Sequence, residues 1–249
     1  MGTRVYAQVT DACDAGCAHC GFSCETKGRG LLAVAKLEVF LDDLASQGLR
    51  VSHLALTGGE PMLFPDRVFA LAERVHARGI RMRLITNASW AKSSKEADRL
   101  VDRLRQAGVS GLWIGTGHFH DARIPAQRTT WAVDAALGVG MACHLNHVYL
   151  HPLSPGMRGK GLCWVDGRIE ADMRTGEAQE GWAAQADDLL SHGWARLWDR
   201  GRASALIDEL GPELSVELRR DLTQANRGDP LPPMRGLAWD GRPFEGELF

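Results

Sequence analysis

Cys13-Asp14-Ala15-Gly16-Cys17-Ala18-His19-Cys20 carries three cysteines at C-x3-C-x2-C spacing, directly after the alternating apolar run Val5–Val9. Thiolates so spaced can ligate one iron–sulfur cluster from a single loop. Three of them on a four-iron cubane leave one iron without a protein ligand. An unfilled metal position is where a small molecule can bind, as catalytic zinc sites show. Two other chemistries can use the same residues. Zinc could take Cys13, Cys17, Cys20 and either His19 or Cys24. Four cysteines, with Cys24 as the last, could also enclose a cluster completely and make an electron carrier. Against that, the bacterial ferredoxin run is C-x2-C-x2-C-x3-C-P. Here the first gap is one residue longer, and Glu25 rather than proline follows Cys24.

Outward from this loop a repeat appears. Amphipathic segments end near Gly48, Gly79, Gly108 and Gly140, spaced 31, 29 and 32 residues apart, a period that fits one βα unit. Leu37, Phe40, Leu41 and Leu44 make one helix face, as do Val68, Leu71, Ala72 and Val75. Ser93 with Glu96 reads as a capping box ahead of Ala97, Leu100, Val101 and Leu104. Trp131–Ala136 is a weaker fourth helix. Strand-like runs alternate with these helices: Val5–Val9, His53–Leu56, Arg83–Ile85, Leu112–Ile114 and Ala142–Leu150. Strands alternating with helices predict a parallel sheet with right-handed crossovers. Polar and glycine residues gather where these strands end: Thr57-Gly58-Gly59-Glu60-Pro61, Thr86-Asn87, Gly115-Thr116-Gly117-His118-Phe119-His120, and Asn146-His147. In (β/α) barrels those ends share the face that carries the active site.

Composition sets limits. Lys and Arg number 29 against 31 Asp and Glu, so nothing calls for nucleic acid or an anionic membrane. Ala135–Met157 is poor in charge but holds three histidines, Asn146 and two prolines, so it is no membrane span. The segment Met1–Arg4 runs straight into a strand and lacks the apolar core of a signal peptide. Six cysteines, three of them clustered, suit a reducing compartment better than a disulfide framework. The expectation is a cytoplasmic protein.

Gly58-Gly59-Glu60-Pro61 follows the cysteine loop by about forty residues, at the end of the next strand. This pair of motifs resembles the radical S-adenosylmethionine (SAM) enzymes, over roughly residues 4–150. The resemblance implies a partial (β/α)6 TIM-like barrel over residues 1–151, with the sixth strand unassigned, and a C-terminal helical extension over 152–249. It implies a [4Fe–4S] cluster on Cys13, Cys17 and Cys20, whose open iron is chelated by the amino and carboxylate groups of SAM. One electron, from a flavodoxin- or ferredoxin-type donor, then cleaves SAM to methionine and a 5'-deoxyadenosyl radical that abstracts hydrogen from a substrate. By the same resemblance the backbone of Gly58 and Gly59, with Glu60, binds the SAM amino group. Phe22 would stack near the adenine, Thr86 and Asn87 line the SAM site, and Thr116 reaches the ribose or carboxylate. The competing class is non-catalytic: an iron–sulfur carrier or a structural zinc protein.

Three further residues are candidates for substrate chemistry. His118 and His120 stand at the end of the fourth strand, and histidine does acid–base work near neutral pH. Cys163 follows a glycine-rich loop, Ser154–Gly161, and could give a hydrogen atom to a substrate radical. Cys143 and Cys24 read as small buried hydrophobes. Two cysteines after residue 24 cannot ligate an auxiliary cluster. Beyond Pro152 the repeat fades. Leu162–Ile169 suits a hairpin, and Ala183–Leu190 and Ala203–Leu210 suit helices. The Gly- and Pro-rich tail, 228–249, is expected to wrap the surface or to be partly disordered. The expected substrate is a specialised metabolite or a peptide, as in natural product biosynthesis. The balance favours a small molecule, because the first strand begins by Arg4 with no recognition domain before it.

Overall fold

The computed structural model describes residues 3–121, 123–149, 161–165, 168–172, 189–196, 202, 204–205 and 234–246. Five parallel strands follow in order: β1 (Thr3–Thr10), β2 (Val51–Gly58), β3 (Arg81–Thr86), β4 (Val109–Thr116) and β5 (Ala142–Tyr149). Between them run α1 (Val34–Ser46), α2 (Pro65–His76), α3 (Ser94–Gln106), the short α4 (His118–Asp121) and α5 (Ala126–Gly138). The repeat glycines are the hinges of these units. Gly48, Gly79, Gly108 and Gly140 all have positive φ, between 68° and 95°. That is the left-handed conformation that ends a helix and turns the chain toward the next strand. Ser93 caps α3, its side chain accepting from the Glu96 amide at 3.2 Å.

Alternation decides which face of the sheet meets the helices. Val5, Ala7 and Val9 of β1, Leu54 and Leu56 of β2, Leu84 of β3, Ile114 of β4 and Leu145 of β5 point outward. They pack against Leu37, Leu41, Leu71, Val75, Leu104 and Val133 in one continuous core. Cys143 lies in this core, 1% exposed, and burial pushes its thiol up to about 12. The opposite face is more polar. It carries Tyr6, Ala55, Arg83, Ile85, Trp113 and His144, with the Arg83 guanidinium 5.1 Å over the Trp113 ring and His144 edge-on to it at 4.8 Å.

The chain after 152 supplies a separate two-stranded sheet and three further strands to the main one. β6 (Gly161–Val165) and β7 (Arg168–Asp172) form the expected hairpin, paired antiparallel from Gly161↔Asp172 to Val165↔Arg168. β8 (Leu190–Arg196) is the sixth parallel strand, alongside β5. Its run Leu-Ser-His-Gly-Trp-Ala-Arg has neither β-branched residues nor clear alternation, which is why no strand was assigned there. The helix expected over Ala183–Leu190 lies outside the described residues except that Leu190 opens β8. That over Ala203–Leu210 lies outside them apart from 204–205. The tail corrects an expectation: it does not merely wrap the surface. β9 (Met234–Leu237) pairs parallel with β1, and β10 (Pro243–Gly246) pairs antiparallel with β9. The signal was present in Asp240-Gly241, a hairpin dipeptide in which Gly241 has φ 83°. Pro243 sits in the edge strand, where its missing N–H is tolerated. The sheet order is β10-β9-β1-β2-β3-β4-β5-β8, an open, partial barrel rather than a closed one.

Candidate active site

The loops that follow β1 to β4 rise from one end of the sheet, the end at which β5 also finishes. The cysteine loop leaves β1 at Thr10 and is closed at its base by Cys13 N–H to Glu25 O (2.8 Å). It turns through two left-handed residues, Gly16 (φ 59°) and Ser23 (φ 51°). Asp11 fixes its exit, accepting from the Arg29 amide (2.7 Å), the Arg29 side chain (2.6 Å) and the Gly30 amide (3.3 Å).

The Gly58-Gly59 turn is pressed against this loop. Gly58 has φ 139°, and a Cβ at Gly59 would lie 1.9 Å from the Ala12 carbonyl oxygen. The Gly59 N–H donates to Thr10 O and the Glu60 N–H to Ala12 O, both at 2.7 Å. The glycines thus let two backbones meet. Both amides are taken up by the cysteine loop.

Glu60 is fully buried. One carboxylate oxygen accepts from Met62 N–H (2.9 Å) and Thr86 Oγ1 (2.8 Å), the other from Asn87 N–H (2.7 Å). Burial pushes its carboxyl up to about 7 even though these three donors pull it down. Thr86 continues the network, accepting from Trp90 Nε1 at 2.9 Å and the Ala88 amide at 3.1 Å. Ala88 itself has φ 61°, a strained conformation for a residue with a Cβ. The Asn87 side chain reaches back to the cysteine loop. Its Nδ2 donates to Cys13 Sγ (3.7 Å) and Asp14 Oδ1 (3.1 Å). Glu60 therefore ties the ends of β2 and β3 together, and Asn87 ties both to Cys13.

These loops surround a cavity of about 210 Å³. Cys13, Cys17, Cys20, Cys24 and Phe22 line one side, with Gly58, Gly59, Thr86 and Asn87 beside them. Tyr6, Trp113, Gly115, His120 and Asn146 line the rest. Burial raises the Cys13 thiol to about 11 and the Cys17 thiol to about 12. Cys20 is drawn down because the Cys24 thiol donates to its sulfur, and Cys24 is correspondingly raised.

Of the residues singled out in the sequence, the three cysteines, Phe22, Gly58, Gly59, Thr86, Asn87 and His120 share this cavity. Glu60 and Thr116 are not in its lining. The side chain of His118 lies outside the described residues, as does that of Cys163; its strand β6 runs beside α4 and β5. Gly115 leaves room for His120: a Cβ there would fall 2.6 Å from its Nε2.

Two contributors were not legible as site residues. His19 reads in the sequence only as a possible zinc ligand. It is half-buried, tilted against Phe119 (4.8 Å) and edge-on to His120 (4.9 Å), and its Nδ1 has no hydrogen-bond partner among the described residues. Burial first, then His120 and Arg202, lower its pKa well below the ordinary value, so the ring is neutral. Its signal was position, an aromatic ring directly before the last cysteine. Arg202, far along the chain, also lines the cavity, and no motif announced it.

The architecture is an open α/β half-barrel with a three-cysteine loop at the carboxyl ends of its strands. A model of the radical SAM superfamily matches residues 7–157. The chain belongs to that superfamily, a family of enzymes whose cofactors are a [4Fe–4S] cluster and SAM. Among curated proteins it is similar to GTP 3',8-cyclase of Sinorhizobium medicae (strain WSM419), 29% identical over 181 residues, 67% of this chain and 49% of that one. GTP 3',8-cyclase of Caulobacter vibrioides (strain ATCC 19089 / CIP 103742 / CB 15) is 28% identical over 183 residues, with the same shares. The chain spans about half the length of these relatives. Among solved structures, anSMEcpe with bound AdoMet aligns over 80% of this chain and 52% of its own, at 11% identity and TM-score 0.48. The radical SAM methyltransferase TsrM from Kitasatospora setae, with cobalamin and [4Fe–4S] cluster bound, aligns over 61% and 32%, at 17% identity and TM-score 0.44. Among the described residues, no helix is long and apolar enough to cross a membrane.

Proposed function

We propose that Cys13, Cys17 and Cys20 hold the [4Fe–4S] cluster and that SAM occupies the cavity between them and the ends of β2 and β3. The observation that carries this reading is the shared wall: three thiols of one loop line the same cavity as the Gly58-Gly59 turn and Asn87. The donor set suits a cluster. Three thiolates of one loop can each meet an iron of a cubane, whereas structural zinc wants four nitrogen or sulfur ligands. When bound, the two cofactors supply a one-electron cleavage of SAM and a 5'-deoxyadenosyl radical that abstracts hydrogen.

This chain's own residues set the stage for that chemistry. The Gly59 and Glu60 amides are engaged with the loop, so the turn offers backbone carbonyls, which suit an ammonium group. Glu60 acts from below, fixing that turn to Thr86 and Asn87. Phe22, with Tyr6 and Ile85, provides apolar surface for a ring. The side of the cavity formed by Trp113, Asn146 and His120 receives the substrate, with His120 positioned for proton transfer. His118 and Thr116 flank it from the same strand end, and Cys163 is the candidate hydrogen donor. The substrate is a small specialised metabolite or a peptide, and a flavodoxin- or ferredoxin-type reductant supplies the electron.

Anaerobic reconstitution tests the core of this reading. The protein should hold about four irons and four sulfides and release 5'-deoxyadenosine with dithionite. Alanine at Cys13, Cys17 or Cys20 should abolish both. The four-cysteine alternative draws support from Cys24, which lines the cavity beside Cys20. Loss of the cluster in Cys24→Ala would establish it. Deuterium transfer into 5'-deoxyadenosine from labelled candidates identifies the substrate.

A further inference from the structure

The cysteine loop is gripped by one residue that lies 178 to 185 positions away. Arg202 Nε donates to Cys17 O at 2.9 Å, and its Nη1 donates to Cys24 O at 2.7 Å. Its backbone N–H donates to Cys20 O at 3.0 Å. The three acceptors are not arbitrary. Cys17 O already accepts from Cys20 N–H (3.2 Å), and Cys20 O from Ser23 N–H (3.3 Å). These weak turn bonds give the loop its shape between the second cysteine and Ser23. Arg202 reinforces both carbonyls and adds Cys24. It spans the loop with a planar fork that a lysine cannot reproduce. It is half-buried and lines the same cavity as the three thiols, so its charge acts on them through a medium of low dielectric.

We propose that Arg202 is a positioning residue for the cluster, with two separable effects. Its hydrogen bonds hold the cysteine loop in the shape that accepts iron. Its fixed positive charge favours the more negative, reduced state of a cluster bound there and so raises the reduction potential. The inference rests on Cys13, Cys17 and Cys20 being the ligands. It makes the segment beyond the family match an integral part of the cofactor site.

The test uses the full-length chain as wild type, Arg202→Gln and Arg202→Lys, with three readouts. The first is amide hydrogen exchange over residues 13–25 before iron is added. The second is iron and sulfide per chain after reconstitution. The third is the midpoint potential, from a redox titration followed by electron paramagnetic resonance without SAM. In Arg202→Gln, exchange in the loop should quicken about tenfold or more, as expected for losing charge-assisted hydrogen bonds. Iron content should fall, and the clusters that do form should have a more negative midpoint. Arg202→Lys keeps the charge but loses the fork. It should match Gln in exchange and iron content, and match wild type in potential. Exchange unchanged in both variants would overturn the positioning role. A Lys midpoint as negative as that of Gln would overturn the role of charge. A chain with Arg202 intact that binds iron equally well with the three cysteines replaced would instead sink the ligand assignment. Hydrogen exchange on the iron-free chain would still decide the grip of Arg202.

Discussion

Glu60 offers the sharpest test of how the site is held together. Its carboxylate takes donors from two buried backbone amides, Met62 and Asn87, and from the Thr86 hydroxyl. Truncation to alanine strands both amides, and a stranded buried donor costs about 1–3 kcal/mol. Glu60→Ala should therefore lose about 2–6 kcal/mol of stability, a large part of what a domain usually has. The carboxyl adds a pH signature. Burial raises it from the ordinary 4.5 to about 7. A group whose folded pKa is raised gives its full stabilisation below the unfolded value. That contribution is lost as pH rises through the folded one. At 1.36 kcal/mol per pKa unit the loss between pH 4.5 and 8 amounts to about 3 kcal/mol. Urea unfolding of the iron-free chain at several pH values, with Glu60→Gln as the non-titrating control, measures it. Wild type should weaken relative to the Gln variant across that window. Parallel pH profiles for the two proteins would refute the raised carboxyl, and an Ala variant as stable as wild type would refute the network.

Gly59→Ala places a Cβ 1.9 Å from the Ala12 carbonyl, with backbone on both sides. It should lower the thermal midpoint and the iron content together, and normal iron content would show that the loop can yield. Gly115→Ala drives a Cβ into the His120 ring, a side chain that can swing. Iron content should persist while the cavity wall at His120 changes, visible as a shifted histidine titration by NMR. Cys143→Ala removes one buried sulfur from the helix-side core; it should cost about 1 kcal/mol in urea unfolding and leave iron content unchanged.

The helical half of the fold was open to reading because each βα unit repeats the same local signals. The glycines that end the segments have the left-handed φ they advertise, and the apolar positions of α1, α2 and α3 are the ones buried. The cysteine loop could be picked out as a unit, since three cysteines within eight residues mark it without tertiary information. β8 and the β9–β10 hairpin were not. β9 and β10 have four residues each, and β8 and β9 form by pairing with β5 and β1, partners more than forty and two hundred residues distant. Glu60 was legible as important, but not in what it does. A motif records that a carboxylate is needed at a strand end, while two of its three donors come from Thr86 and Asn87 at the end of the next strand. Arg202 was invisible because its acceptors are backbone carbonyls, which leave no mark on the sequence.

A loop of a dozen residues with two left-handed turns does not hold a shape by itself, since fixing each residue costs about 1–2 kcal/mol of backbone entropy. Here a few turn bonds within the loop are joined by restraints that arrive from elsewhere. The β2 end supplies Gly59 and Glu60 amides to Thr10 and Ala12, and the β3 end supplies Asn87 to Cys13. The far segments supply Arg202 and, through the β9–β10 hairpin, Trp239. The Trp239 ring packs so closely on Gly30 that a Cβ there would lie 2.4 Å away, and the Arg29 guanidinium sits 5.3 Å over it. Arg29 in turn binds Asp11 at the root of the loop. These restraints exist only once β1, β2 and β3 are paired and the hairpin has docked on β1. The cysteines are therefore brought to one wall by the finished sheet rather than by their own spacing, and ordering of the loop follows the folding of the half-barrel that carries it.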